Sequence, residues 1–129
     1  MSGAPPQPVS KPAKRTTYGP YPATVADWHD GDTCHLDVDL GFGLVIGLSC
    51  RCYGINAPEL ATPTGPAARD FAASLAPAGS AIEVSSHGWD KYGGRFLGEI
   101  FLADGRSFSA VMIGAKQAKP YFGVGPKPV

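Results

Sequence analysis

The chain has 129 residues, 43% of them apolar, and its eleven acids balance eleven lysines and arginines. That is enough chain for one domain with a real core. It excludes a membrane-spanning helix, since no stretch approaches the roughly 20 apolar residues one needs, and three cysteines, an odd number, argue against a disulfide framework.

Residues 1–20 are Pro-rich and basic and read as a disordered arm. They hold no apolar core of a secretory signal, so a cytoplasmic location with reduced thiols is expected. Lys11, Lys14 and Arg15 lie in the arm with no acid; from Gly105 onward come Arg106, Lys116, Lys119 and Lys127, again with no acid. The middle keeps all eleven acids against Arg51, Arg69, Lys91 and Arg95, a net of about −7. An acidic centre repels a polyanion unless a cation intervenes.

Residues 21–122 read as the folded domain and 123–129 as a flexible tail. A first strand is expected over 23–29, ending at Asp30-Gly31, where glycine would supply the positive φ of a hairpin turn. Asp32 follows directly, although Asp is a poor strand residue. It is either a solvated turn residue or an acid held at a rim to bind a cation. Residues 33–40 alternate, with Cys34, Leu36, Val38 and Leu40 on an apolar face. Gly41 and Gly43 mark a turn. Residues 42–53 alternate again and predict a core face of Leu44, Ile46, Leu48, Cys50 and Cys52, which turns Arg51 away from the core.

After a loop at 54–63, Thr64 or Gly65 caps a helix with Pro66 in its first turn. Phe71 and Leu75 form its buried stripe, and Pro77 and Gly79 end it. A short strand at 81–85, a long polar loop SHGWDKYGG and a strand at 95–102 follow. Asp104-Gly105 leads into a helix over 107–116 with Phe108, Val111 and Met112 inward. The order β-β-β-α-β-β-α predicts a five-stranded Greek-key barrel of the OB type with two flanking helices.

Asp32, Asn56 and Glu59 sit in loops and offer hard oxygens, the donor type Ca²⁺ and Mg²⁺ prefer. Arg51 leaves the same region, and Arg95 begins a strand. Two guanidiniums beside a metal would clamp a phosphodiester. Cys34, Cys50 and Cys52 with His29, His35 or His87 invite a zinc reading, but C-x-C on a strand lacks the usual spacing and buried thiols are the default.

The words ATVADWHDGDT, RCYGINAPE, GPAARDFAASL, IEV, DKYGGRFLGEIF and ADGRSFS, in this order over about residues 22–122, resemble the staphylococcal nuclease family. The resemblance implies a Ca²⁺-dependent nuclease cleaving DNA, RNA or both with little sequence preference, a monomer with no membrane partner; Mn²⁺ or Mg²⁺ could replace calcium. By resemblance Asp32, Asn56 and the backbone carbonyl of Ala57 are the metal ligands, with Asn56 standing where staphylococcal nuclease has an Asp. Arg51, Glu59 and Arg95 are the catalytic residues: Glu59 activates or orients water, and the arginines hold the phosphate. Lys91 and Tyr92 contact the nucleotide, and Tyr121 is a candidate for base stacking. Where staphylococcal nuclease reads D-K-Y-G-R this chain reads D-K-Y-G-G-R, and one inserted residue can flip a side chain's face unless a bulge, for which Gly93-Gly94 is suited, restores it. The alternative is a catalytically silent module of the same fold that binds nucleic acid or protein. A general OB oligonucleotide binder would want a basic, aromatic groove, against which the acidic centre argues.

Overall fold

The computed structural model describes residues 17–123 and 127–128. Most of the expected N-terminal arm and part of the tail, including Lys11, Lys14 and Arg15, lie outside the described residues. The elements are β1 (Tyr18–Asp30), β2 (Thr33–Asp39), β3 (Val45–Cys52), β4 (Ile55–Asn56), α1 (Gly65–Leu75), β5 (Ala81–Trp89), β6 (Phe96–Phe101), α2 (Phe108–Gly114) and β7 (Lys119–Pro120). Five strands close a barrel in the order β1-β2-β3-β6-β5, with β5 returning to β1. The pairings are antiparallel except β3 with β6, which is parallel. This is an OB-type barrel carrying two helices. Among the described residues, no helix is long and apolar enough to cross a membrane.

Strand β2 follows its sequence pattern: Cys34, Leu36 and Val38 are buried, while His35, Asp37 and Asp39 face water. The hairpin to β3 departs from it. Leu40, Leu44 and Ile46, expected in the core, are exposed, and Phe42 at the tip is 99% exposed. Alternation specifies which side chains share a face, but it does not specify where the barrel beneath that face ends. Strand β3 joins β6 only over residues 50–52, so its first half projects beyond the closed part of the barrel. Cys50 and Cys52, within the closed part, are buried with Cys34.

Helix α1 begins after Thr64, with Pro66 in its first turn as expected, though Thr64 makes no side-chain cap. Its seam differs from the expected stripe. Gly65, Ala68 and Ala72 are buried, and Phe71 and Leu75 flank the core. Small residues on the seam let α1 approach the barrel closely. A β-carbon at Gly65 would collide with the Glu59 carbonyl, so this glycine permits the loop and helix to pack. Helix α2 is capped by the Ser107 hydroxyl, which accepts from the Ala110 N–H at 3.2 Å. Phe108 stacks on Trp28 at 4.9 Å, and the Trp28 indole N–H donates to the Ala76 carbonyl at 2.8 Å. One aromatic pair thus ties β1, the end of α1 and α2 together.

Strand β5 runs to Trp89, past the expected end at 85, because its second half pairs with β6 across a bulge between Ser86 and Trp89. The bulge lies at residues 87–88, not at Gly93-Gly94. Gly93 has φ +81° in the turn that follows. The two-residue strands β4 and β7 pair with each other and fasten the loop after β3 to the segment after α2.

Candidate active site

The turn from Asp30 to Thr33 lies at one end of the barrel, and its glycine has a different task from the expected one. Gly31 is absent from the positive-φ positions. A β-carbon there would stand 2.9 Å from that of Ala57, 3.1 Å from the Met112 methyl and 3.2 Å from the β-carbon of Ala68. Gly31 therefore lets the turn, the loop after β4 and both helices meet. Gly31→Ala is expected to cost about 1–3 kcal/mol by overpacking, read from the shift in urea midpoint.

That close approach delivers Ala57 to Asp32. The Ala57 N–H donates to Asp32 Oδ2 at 2.7 Å, and the Thr33 hydroxyl donates to Oδ1 at 3.0 Å. The Asp32 N–H in turn donates to Asp30 Oδ1 at 3.1 Å. In the β2–β3 ladder Arg51 lies opposite Thr33, which brings its guanidinium to the same turn. Arg51 Nη1 is 3.2 Å from Asp32 Oδ2, with both side chains largely buried. Arg51 Nη2 donates to Asn56 Oδ1 at 3.2 Å, and β4–β7 pairing holds Asn56 in place. Asp32, Arg51, Asn56 and the backbone of Ala57 thus form one connected centre. The face of Ala57 turned to Asp32 is its N–H.

Arg95 also reaches this centre. Its Nη1 donates to Thr33 Oγ1 at 3.5 Å, and its Nε donates to Asp90 Oδ2 at 2.9 Å. Asp90 is locked by the hairpin turn, where its Oδ1 accepts from the N–H groups of Tyr92 and Gly93. A cleft of about 320 Å³ opens here, lined among others by Arg51, Arg95, Lys91, Tyr92 and Tyr121. Tyr92 is exposed, and the Lys91 ammonium lies 5.4 Å from its ring centroid.

Glu59 is placed differently. It is exposed and lines a neighbouring cavity of about 430 Å³ together with Asn56 and Ala57. Asn56 and Ala57 stand between the two regions: each belongs to the Arg51 centre and to the Glu59 cavity.

Burial pushes the Asp32 carboxyl up to about 6; its hydrogen bond to Asp30 adds to the rise, while Arg51 opposes it. The folded value exceeds the ordinary 3.8, so the stability this group contributes is full below about pH 3.8 and is lost as pH rises through about 6. Across that window the metal-free protein is expected to lose on the order of 2–3 kcal/mol relative to Asp32→Asn. Denaturant midpoints of the two proteins from pH 4 to pH 7 check the sign.

No family model and no curated protein matches this chain.

The geometry therefore rests on its own residues. Sequence reasoning did not single out Thr33 or Asp90 as parts of the site. Thr33 bridges Asp32 and Arg95, and Asp90 aims Arg95. Thr33 had a readable signal, as the residue after Asp32 and at the start of a strand. Asp90 opens the DKYG word, and an Asp before a turn commonly accepts from the backbone N–H groups two and three residues on.

Proposed function

We propose that this chain is a divalent-metal-dependent nuclease, a water-using phosphodiesterase of the kind its sequence words resemble in the staphylococcal nuclease family. The observation that carries the reading is the hydrogen-bonded Asp32–Arg51–Asn56 centre, whose Arg51 lines a cleft together with a second arginine and an exposed tyrosine. A buried carboxylate beside a guanidinium is also a common structural pair. The convergence of Arg95 on Thr33 is what a purely structural pair would not require.

The donor set fits a hard cation. Asp30 and Asp32 are both buried and share a hydrogen bond, with Arg51 as the facing guanidinium. Burial is the main reason the Asp32 carboxyl is raised, with Asp30 adding to the rise and Arg51 opposing it, so a cation bound there would favour the ionised form. Asp32 and Asn56 would hold the ion, with Ca²⁺ the first choice and Mn²⁺ or Mg²⁺ substitutes. When bound, the ion would supply Lewis-acid neutralisation of the phosphate.

The chain's own residues do the rest. Arg51 and Arg95 donate to the phosphate oxygens as charge builds on them during in-line attack. Asn56 and Asp32 hold the planar Arg51 fork aimed before substrate arrives. Lys91 attracts the phosphate backbone, and Tyr92 and Tyr121 offer faces for bases. Glu59 takes or orients the proton of the attacking water.

One observation favours the silent binding module instead. Glu59 lines the cavity beside the cleft, not the cleft that holds Arg51 and Arg95. A plasmid and a single-stranded RNA incubated with Ca²⁺, with Mg²⁺ and with chelator separate the two. The nuclease reading expects metal-dependent cleavage that falls at least about 100-fold in Glu59→Ala. Cleavage by neither metal, with retained binding of the RNA, would select the binding module.

A further inference from the structure

The three cysteines come from two strands, Cys34 on β2 and Cys50 and Cys52 on β3, and point inward together. Cys34 lies directly opposite Cys50 in the ladder. All three are free and buried, and their sulfurs lie within 4.8 Å of one another. Gly98 on β6 makes the space, since a β-carbon there would collide with the Cys50 sulfur.

We propose that Cys34, Cys50 and Cys52 form a three-thiolate site for one thiophilic centre of low coordination number, trivalent arsenic in the arsenite class. Three sulfurs at about 2.3 Å from a pyramidal centre with bond angles of roughly 90–100° stand roughly 3.3–3.5 Å apart, so closing the site from separations within 4.8 Å takes movements on the order of an ångström. The choice of centre follows from coordination and charge. Zinc sites of this type are four-coordinate, and among the described residues the cluster holds three ligands. The surrounding core is apolar, with Leu36, Val84 and Ile100 fully buried. A complex carrying net charge is costly there. Three thiolates with zinc leave −1, and with cuprous copper −2. Arsenous acid, As(OH)₃, is neutral, and so is its product. Three S–H bonds and three As–OH bonds break, three As–S bonds form, and three waters leave. No oxidant or reductant takes part, and no charge is left in the barrel.

The site is closed, so loading follows opening of the barrel or accompanies folding. The test uses the full-length reduced chain, refolded with sodium arsenite, with zinc chloride or with neither, and measured by intact mass under native conditions. One arsenic per chain, three thiols together protected from alkylation in denaturant, where the arsenic-free chain is alkylated at all three, and a raised melting temperature are expected, with no stable zinc adduct. Cys34→Ala, Cys50→Ala and Cys52→Ala should each weaken arsenite binding at least about 100-fold. Should a variant fail to fold, thiol protection in the parent still decides. No arsenic adduct in the parent, or protection of fewer than three thiols, overturns the proposal. Equal binding by all three variants does so too.

Discussion

Arg51→Ala is expected to reduce phosphodiester cleavage by at least about 1,000-fold, the scale on which removal of a preorganised donor acts at a developing oxyanion. The substitution removes more than a substrate contact. Asp32 would lose its guanidinium partner while remaining buried, and Asn56 would lose the donor at 3.2 Å. Breaking one side of a buried pair costs about 3–5 kcal/mol, so loss of activity alone would not separate catalysis from folding. Arg51→Lys separates them. Lysine keeps a positive charge beside Asp32 but cannot present a planar fork to both Asp32 and a phosphate. It should recover most of the thermal stability and stay about 100-fold below the parent in kcat/KM. Recovery of activity together with stability would reduce Arg51 to a structural partner of Asp32.

Phe108→Ala is expected to cost the fold about 3–5 kcal/mol and lower the melting temperature by roughly 10–20 °C. Phe108 is 0% exposed, and its ring covers Trp28, whose indole is tied to the carbonyl ending α1. Removing it leaves a cavity against Trp28 that the close-packed core cannot readily fill. Phe108→Leu, which retains most of the volume, should cost less than half as much. A calorimetric scan of the three proteins reads the difference directly.

Much of the barrel was legible because its β2 strand is buried on one face along its whole length, and strict alternation reports that condition. The same logic failed at Leu44 and Ile46. Their alternation continues unbroken from Cys50, but pairing with β6 stops at residue 50, and no local pattern carries that boundary. Helix α1 was found through Pro66 and its terminating Pro77 and Gly79, while its seam was misplaced from Ala68 and Ala72 to the larger Phe71 and Leu75. Hydrophobic size points to what can be buried; close helix–barrel packing selects what is small.

Of the residues singled out in the sequence, the fold brings Asp32, Arg51, Asn56 and Arg95 together, whereas Glu59 lines a neighbouring cavity; Thr33 and Asp90 were not among those named. The β2–β3 register brings Arg51 to Asp32, and that register follows from the alternation of both strands. Asn56 needs the two-residue β4–β7 pair, too short to show any periodicity. Gly31 illustrates the limit most sharply. Asp-Gly read as a turn whose glycine relieves backbone strain, but the residue that demands glycine is Ala57, twenty-six positions away in sequence and in contact in space. Arg95 is held by Asp90 across the turn that separates them, a pairing no strand periodicity reports.

Calcium titration calorimetry at pH 7.5 tests the centre most directly, because Asp32 is then ionised. The parent should bind one Ca²⁺ per chain with release of heat that vanishes in Asp32→Asn and weakens in Asn56→Ala, both variants remaining folded by circular dichroism. Equal calcium binding by the parent and a folded Asp32→Asn would contradict the Asp32–Arg51–Asn56 centre as the seat of the metal.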